Sequence, residues 1–489
     1  MNEEIAEYYE ELYRLYIDEN QPLERRYRQL RESLERVVRE RIQGNSLQTT
    51  DLAARINYVA TQYELDIKEQ NQLHTFRLTS NDILNHRKFP AKEEFLRDLR
   101  AVAFAYRKMF AQDIPLKLFS VLPKQEITSL GKKEKKEYIR RIRVCFDYAD
   151  DTYLYVHPVD IIADEPIRVV YNKPGINHEF EETIKELWRY AQLNLLDVFV
   201  DREGIYTPSF IVLEPDYLID ISSLAECYKD YGSHPANYFL SRLVPIDNAR
   251  PLLLGNIANL FLDEWIHAGE EEPDYIDCMK KAFRQYPIEL AACAELRDPS
   301  KEKEFAKDCR MHFEHIRDIV QHTFLEPGYN LDKKDAVLEP SYICEALGIQ
   351  GRLDYMQRDM SSFIEMKSGK ADEFSIQGKV EPKENNKVQM LLYMAVLEYS
   401  MGQDRRRMHP YLLYTRYPLL YPARASWAQV RRIINLRNRI VAAEYGVQFH
   451  NHPDFTRNLL AQINPEVVNE RKLSGRFWEQ YLKPSISRF

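Results

Sequence analysis

Asp354, Glu365 and Lys367, in the run GRLDYMQRDMSSFIEMKSGK, have the types and spacing for chemistry. Glu365 and Lys367 lie two apart in an apolar stretch, Ser362–Ser368, that reads as a strand. They therefore project from one face while Ile364 and Met366 point to the core. Gln350–Gln357 reads as a partner strand, joined through a turn around Arg358–Ser361, and Asp354 near its end reaches the same face. Two carboxylates and a lysine then converge at one strand edge. Asp354 and Glu365 offer oxygen to a hard cation such as Mg²⁺ or Mn²⁺, with the carbonyl of Met366 as a further ligand. A cation so held polarises a phosphodiester and generates hydroxide. Lys367 orients or helps deprotonate the water and offsets charge on the phosphate. A short D…ExK pattern also arises by chance on charged strands. Here, however, the charges sit in an otherwise apolar strand, where unpaired charge is costly. Gly351, before the aspartate, also suits a close backbone approach.

The elements around this run read as mixed α/β. LLLGNIANLFLDEWIHAG and the stretch from Ile276 to Gln321 have helical spacing. After the two strands come a helix at NKVQMLLYMAVLEYS, a strand at HPYLLYTRY and a helix at WAQVRRIINLRNRIVAAEY. On the first of these helices Gln389 and Tyr393 are four apart and share a face, so their polar ends support the lysine side of the site and a phosphate.

Upstream, residues 1–113 read as helical. Tyr27, Leu30, Leu34, Val37 and Val38 form one apolar stripe, and Ser80-Asn81-Asp82 and Pro90–Glu93 look like helix starts. Residues 114–216 contain short β-branched or aromatic runs, IRRIRVCFDYA, TYLYVHPV, PIRVVYN and PSFIVLE, and a helical stretch over Asn177–Leu196. They predict a small β-rich domain, barrel-like, of a size that often binds nucleic acid. The expected domains are therefore 1–113, 114–216, 217–445 and a helical extension, 446–489.

The chain has 489 residues, too many for one core. No apolar run approaches the roughly 18 residues that span a bilayer, and the acidic N-terminus lacks a secretory pattern. A cytoplasmic protein with no membrane partner is expected. The six cysteines form no CxxC pair and read as reduced, partly buried thiols. Cys309, His312 and His315 fall within two helical turns, but with no fourth ligand a plain helix is the better reading. No phosphate loop of the GxxxxGK[ST] type occurs. Net charge is −8, yet from Asp404 to Arg439 the chain carries nine arginines against one acid. Arg405, Arg406, Arg407, Arg416, Arg431 and Arg432 are the candidates for tracking a phosphate backbone.

The succession GxxD, ExK and QxxxY resembles the RecB-type branch of the PD-(D/E)xK nuclease superfamily, over roughly residues 217–445. The resemblance implies a restriction-endonuclease-like mixed sheet flanked by helices. It makes Asp354 and Glu365 metal ligands, Lys367 the catalytic lysine, and Gln389 with Tyr393 the DNA-side motif. Glu339 resembles an acidic residue found upstream of GxxD and is a further candidate ligand. Where the family carries a histidine ligand four residues after a glycine, this chain has Gly255 and Asn259, with Asp263 one turn on. LIDISSLAECYKDYG resembles the lead-in segment in which iron–sulfur members place their first cysteine, here Cys227. No cysteine follows Cys344, so no iron–sulfur cluster is expected. The end, ERKLSGRFWEQYLKP, resembles the stretch leading into the motor of helicase–nuclease fusions, which implies a partner or fused helicase.

These features predict a Mg²⁺- or Mn²⁺-dependent deoxyribonuclease acting on single-stranded DNA or DNA ends in repair, recombination or defence. Asn259 keeps open an alternative, a catalytically silent DNA-binding module that positions a helicase. A third reading is a scaffold that recruits partners through its N-terminal helices.

Overall fold

The computed structural model describes residues 3–42, 51–123, 138–160, 163, 165–229, 232–243, 250–374, 379–423 and 426–450. The final segment from 451, with its expected helicase lead-in, lies outside the described residues, as does Arg424. The chain forms two compact units. One runs to Glu214 and is rejoined by the chain from Val441; the other runs from Pro215 to Ile440. No helix among the described residues is long and apolar enough to cross a membrane.

The first unit opens with five helices: α1 (Glu3–Ile17), α2 (Leu23–Ile42), α3 (Leu52–Gln62), α4 (Ile67–Leu84) and α5 (Lys92–Phe110). The stripe Tyr27, Leu30, Leu34, Val37 and Val38 is wholly buried. Asp51 caps α3, and Asp66 with Glu69 forms a capping box on α4. Ser80-Asn81-Asp82, expected to start a helix, instead lies in the last turns of α4. Ser80 is buried there and bonds back to the Arg77 carbonyl at 2.9 Å, so its hydroxyl is not available as a cap.

Six strands follow: β1 (Tyr138–Ala149), β2 (Tyr153–Pro158), β3 (Ile167–Val170), β4 (Gln192–Val200), β5 (Tyr206–Thr207) and β6 (Phe210–Leu213). β1 pairs with both β2 and β4, β2 with β3, β3 in parallel with β5, and β5 with β4. The ring β1-β2-β3-β5-β4-β1 is therefore closed, and β6 carries the line of β5 onward along β4. Cys145 and Tyr190 belong to the same apolar cluster as the helices, so bundle and barrel share a core. The helix expected over Asn177–Leu196 is a correction. Only a 3-10 turn, His178–Phe180, and a short helix, Glu181–Lys185, form, and Gln192 opens β4. β4 is buried almost throughout, so its sequence shows no alternation that separates strand from helix.

The second unit is mixed α/β. It contains β7 (Ile219–Asp220), α6 (Ile221–Ala225), α7 (Arg250–His267), α8 (Pro299–Gln321), β8 (Ala336–Leu338), β9 (Ser341–Cys344), β10 (Ile349–Arg352), β11 (Tyr355–Gln357), β12 (Ser362–Lys367), α9 (Glu384–Met401), β13 (His409–Tyr414), β14 (Leu419–Pro422) and α10 (Trp427–Tyr445). The expected helix from Ile276 to Gln321 is interrupted. Pro287 and Pro299 each sit in a first turn, where the missing N–H is tolerated, so each starts a new helix.

The main sheet has the order β8-β11-β12-β13-β14, with β12 and β13 parallel. Parallel neighbours need a crossover, and α9 supplies it. One face of the sheet, including Ile364, Met366, Tyr411 and Leu413, packs with Phe261 of α7 and Phe313 of α8. On the other face Gln389 of α9 bonds Glu365 and Lys367. β12 is thus covered on both sides. The strand expected over Gln350–Gln357 is two strands: β10 pairs with β9 and β7, whereas β11 pairs with β12 and β8. The chain changes sheets at Leu353-Asp354.

Candidate active site

That change of sheet places Asp354 beside β12. Its Oδ2 accepts the Met366 backbone N–H at 2.6 Å, and its own carbonyl accepts the Glu339 N–H at 3.1 Å. Gly351 permits close packing on the strand that leads to Asp354. A Cβ there would meet Ile221 at 3.0 Å and the Tyr393 ring at 3.1 Å. The Tyr393 hydroxyl donates to the Arg352 carbonyl at 2.5 Å, so this buried side chain braces the backbone leading to Asp354.

Glu365 is 4% exposed. Its Oε1 accepts Lys367 Nζ at 2.7 Å and Gln389 Nε2 at 2.6 Å, while Lys367 Nζ also donates to Gln389 Oε1 at 2.8 Å. Lysine, glutamate and glutamine therefore close a three-membered ring of hydrogen bonds. Glu365 Oε2 is buried and accepts no hydrogen bond among the described residues. Burial, reinforced by Asp354, pushes the Glu365 carboxyl up to about 8 against the opposing pull of Lys367. Burial likewise raises Asp354. Burial disfavours the charged form of Lys367, but Glu365 outweighs it and the net shift is upward.

A cavity of about 390 Å³ adjoins the ring, lined by Asp220, Ser222, Ser223, Arg352, Asp354, Glu365, Lys367 and Gln389, among others. Ser222 and Ser223 lie on α6, and Asp220 immediately before it, in the segment read only as a lead-in. Their signal in the sequence was that run, LIDISSLAE. The side-chain donors suit a hard divalent cation: the bare Oε2 of Glu365 and the Asp354 carboxylate, both oxygen and both at the cavity. A carboxylate oxygen left unpaired in a low-dielectric site is costly unless a proton or a cation takes it, which is why burial raises this carboxyl. Among the described residues no three His, Cys, Asp or Glu side chains gather to hold a metal, so the side-chain set rests on two carboxylates, and Met366 meets it through its N–H to Asp354.

The remaining candidates are placed as follows. Glu339 has a left-handed backbone, φ +49°, and its carboxylate pairs with Arg352 at 3.0 Å. Asn259 and Asp263 lie on α7, whose Gly255 faces Ser368: a Cβ there would lie 3.3 Å from the serine Oγ. Asn259 makes no side-chain hydrogen bond among the described residues, whereas Asp263 is raised to about 6 by burial and then by Glu339, with Asp354 adding to it. The acid on this helix that senses the site is therefore Asp263. All six cysteines are free and buried. Cys309 and His312 are buried, and His315 Nδ1 bonds the Thr415 carbonyl at 2.9 Å.

The arginines do not form one face. In the β12–β13 register His409 pairs Ser362 and Tyr414 pairs Lys367. Arg405, Arg406 and Arg407 precede His409, so they enter at the far end of the strand, roughly 16 Å from Lys367. Arg405 lies over the Trp427 ring, 4.7 Å from its centroid. Arg416 follows Thr415, whose N–H bonds the Lys367 carbonyl at 3.0 Å, and is at the site end. Arg431 and Arg432 lie on α10, half-buried and exposed respectively. Arg437 on the same helix is wholly buried and bonds the carbonyls of Gly348 and Tyr217. A side chain at Gly348, φ +64°, would overlap that guanidinium.

No profile of a known protein family matches the chain, and no curated protein matches it significantly.

Proposed function

We propose that the second unit is a metal-dependent nuclease of the RecB-type PD-(D/E)xK branch, with a restriction-endonuclease-like core. The carrying observation is the buried Glu365–Lys367–Gln389 ring beside Asp354, with one glutamate oxygen left over at a polar cavity. Asp354, Glu365 and the Met366 carbonyl hold Mg²⁺ or Mn²⁺ in this reading, and the ion supplies Lewis acidity and a water of lowered pKa. Lys367, fixed by two partners, directs a proton donor at the attacking water and at a phosphate oxygen. Gln389 sets the lysine rotamer, and Tyr393 stiffens the strand that presents Asp354. Arg352 lines the cavity itself, Arg416 is the member of the 404–439 arginine run at the site end of β13, and the turn 405–407 contacts substrate further along. DNA, single-stranded or at ends, is the proposed substrate.

The test is cleavage of labelled single-stranded and duplex DNA with Mg²⁺ or Mn²⁺, comparing wild type with Lys367→Ala. The variant is expected to lose on the order of 10²–10⁴-fold in rate while melting as wild type does. Cleavage unchanged in the variant removes the assignment. DNA binding without cleavage in either protein favours the silent module that positions a helicase, which the neutral Asn259 at the family's histidine position also favours.

A further inference from the structure

The barrel of the first unit carries an outward face that the nuclease reading does not use. β2 alternates, with Leu154, Val156 and Pro158 buried and Tyr153, Tyr155 and His157 facing out. Tyr155 sits between Tyr148 of β1 and Arg168 of β3 in the register, giving a row across three strands. The Tyr148 and Tyr155 rings are stacked, centroids 4.3 Å apart and planes 14° apart, yet Tyr148 remains 50% exposed. Tyr153 meets Tyr155 edge-on at 6.4 Å. The Arg168 guanidinium lies 5.6 Å from the centre of the Tyr153 ring, is exposed, and has no carboxylate at ion-pair distance among the described residues.

The face is held in place. Asp150, in the β1–β2 turn, accepts the N–H groups of Thr152 and Tyr153 at 2.8 and 2.7 Å and the Tyr155 hydroxyl at 3.0 Å. The Tyr171 hydroxyl reaches the Asp150 carbonyl at 2.7 Å. The acid nearest the tyrosines is thereby occupied in shaping the turn, and the cation on the face is left open. Solubility alone favours charged side chains on an outward strand face, not a pre-stacked aromatic row.

We infer that this row binds single-stranded nucleic acid, with bases stacking on Tyr148, Tyr153 and Tyr155 and a phosphate on Arg168. A closed five-stranded barrel presenting its second and third strands is the architecture that takes oligonucleotides in this way. Exposed rings beside a guanidinium are the general means of holding unpaired bases without reading their sequence. A duplex hides its base faces against one another, so it gains nothing from the row. The inference does not depend on cleavage by the second unit.

The experiment uses the whole chain with divalent ions chelated, so that nothing is cut. A fluorescein-labelled oligothymidylate is titrated by anisotropy, and the same oligomer carrying 4-thiothymidine is photocrosslinked and mapped by mass spectrometry. Tyr148→Ala/Tyr155→Ala is expected to bind about tenfold or more weakly. Tyr148→Phe/Tyr155→Phe keeps the rings and is expected to bind as wild type does, and Arg168→Glu is expected to weaken binding severalfold. Crosslinks are expected on peptides of β1–β3 and are lost in the alanine pair. Unchanged affinity in a folded alanine pair, or no crosslink to β1–β3 in wild type, overturns the inference and leaves the face to a protein partner. Should the alanine pair not fold, Arg168→Glu and the wild-type crosslink decide. Equal binding of duplex and single strand, weakened alike, also overturns it.

Discussion

Asp98 in the helical bundle and Glu365 in the central strand of the second unit are both acids almost removed from water, at 1% and 4% exposure. Their surroundings differ in one respect. Asp98 Oδ1 accepts two bonds from Arg97, at 2.8 and 2.7 Å, and Oδ2 accepts the Tyr27 hydroxyl at 3.1 Å. Both oxygens are satisfied, and the side chain holds α5 to α2. Glu365 shares one oxygen between a lysine and a glutamine and leaves the other bare. A buried charge whose lone pairs are all taken organises a core. One with a lone pair to spare, beside a second carboxylate and a polar cavity, is poised for a ligand. The first unit shows that this fold can satisfy a buried acid fully, which makes the bare oxygen in the second informative.

The comparison breaks most readily at Glu365. Glu365→Gln keeps the shape and one acceptor but removes the charge that a cation requires. In wild type, saturating Mg²⁺ or Mn²⁺ is expected to raise the melting temperature of the second unit by roughly 5–10 °C, and in the variant that rise is expected to disappear together with cleavage. In chelator the variant is expected to be the more stable of the two at neutral pH, because the wild-type carboxyl, held near 8 in the fold against an ordinary 4.5, must take up a proton on folding that the unfolded chain does not carry. A wild-type melting curve indifferent to both ions would put Glu365 in the same structural class as Asp98.

Asp98 sharpens the comparison from the other side. Burial pushes it up to about 6, above its ordinary 3.8, against the opposing pull of Arg97 and Tyr27. The folded state then holds the proton more tightly than the unfolded chain. This contribution to stability is fully present below the unfolded value near 3.8 and is lost as pH rises through about 6. Between those limits wild type is expected to lose roughly 1–3 kcal/mol relative to Asp98→Asn, read from urea unfolding across the window. No divalent ion is expected to alter that difference. A metal-dependent shift at Asp98 would abolish the distinction between the two acids.

How far the sequence exposes each region follows from the same physics. Glu365 and Lys367 were legible because two charges at strand spacing in an apolar run violate the pattern around them. The helical stripe in α2 was legible because one face is buried and the other is not. β4 was not, since burial on both faces erases its period. The break between β10 and β11 left no mark beyond Gly351, because a strand that changes sheets keeps a strand's composition. The arginine run misled for a related reason. Composition counts Arg405, Arg416 and Arg437 alike, while the fold places one over a tryptophan, one at the site end of β13 and one in the core. Asp263 was visible only as a neighbour of Asn259, since nothing in helical spacing says which of two adjacent turns faces Glu339.

The smallest expected effect tests the part of the site that touches no ligand in this reading. The Tyr393 hydroxyl is committed to the Arg352 carbonyl, two residues before Asp354, and its ring fills the space that Gly351 leaves. Tyr393→Phe keeps the ring and deletes the bond, leaving a carbonyl without its partner. Its expected cost is about 0.5–1.5 kcal/mol in urea unfolding, and cleavage is expected to fall only a few-fold, through looser placement of Asp354. The family resemblance implies a DNA-side role for this tyrosine, and its hydroxyl also bonds the strand that leads to Asp354. A Tyr393→Phe variant as stable as wild type but crippled in cleavage to the extent of Lys367→Ala would return the hydroxyl to the substrate. The bond to Arg352 would then be a resting arrangement that substrate displaces.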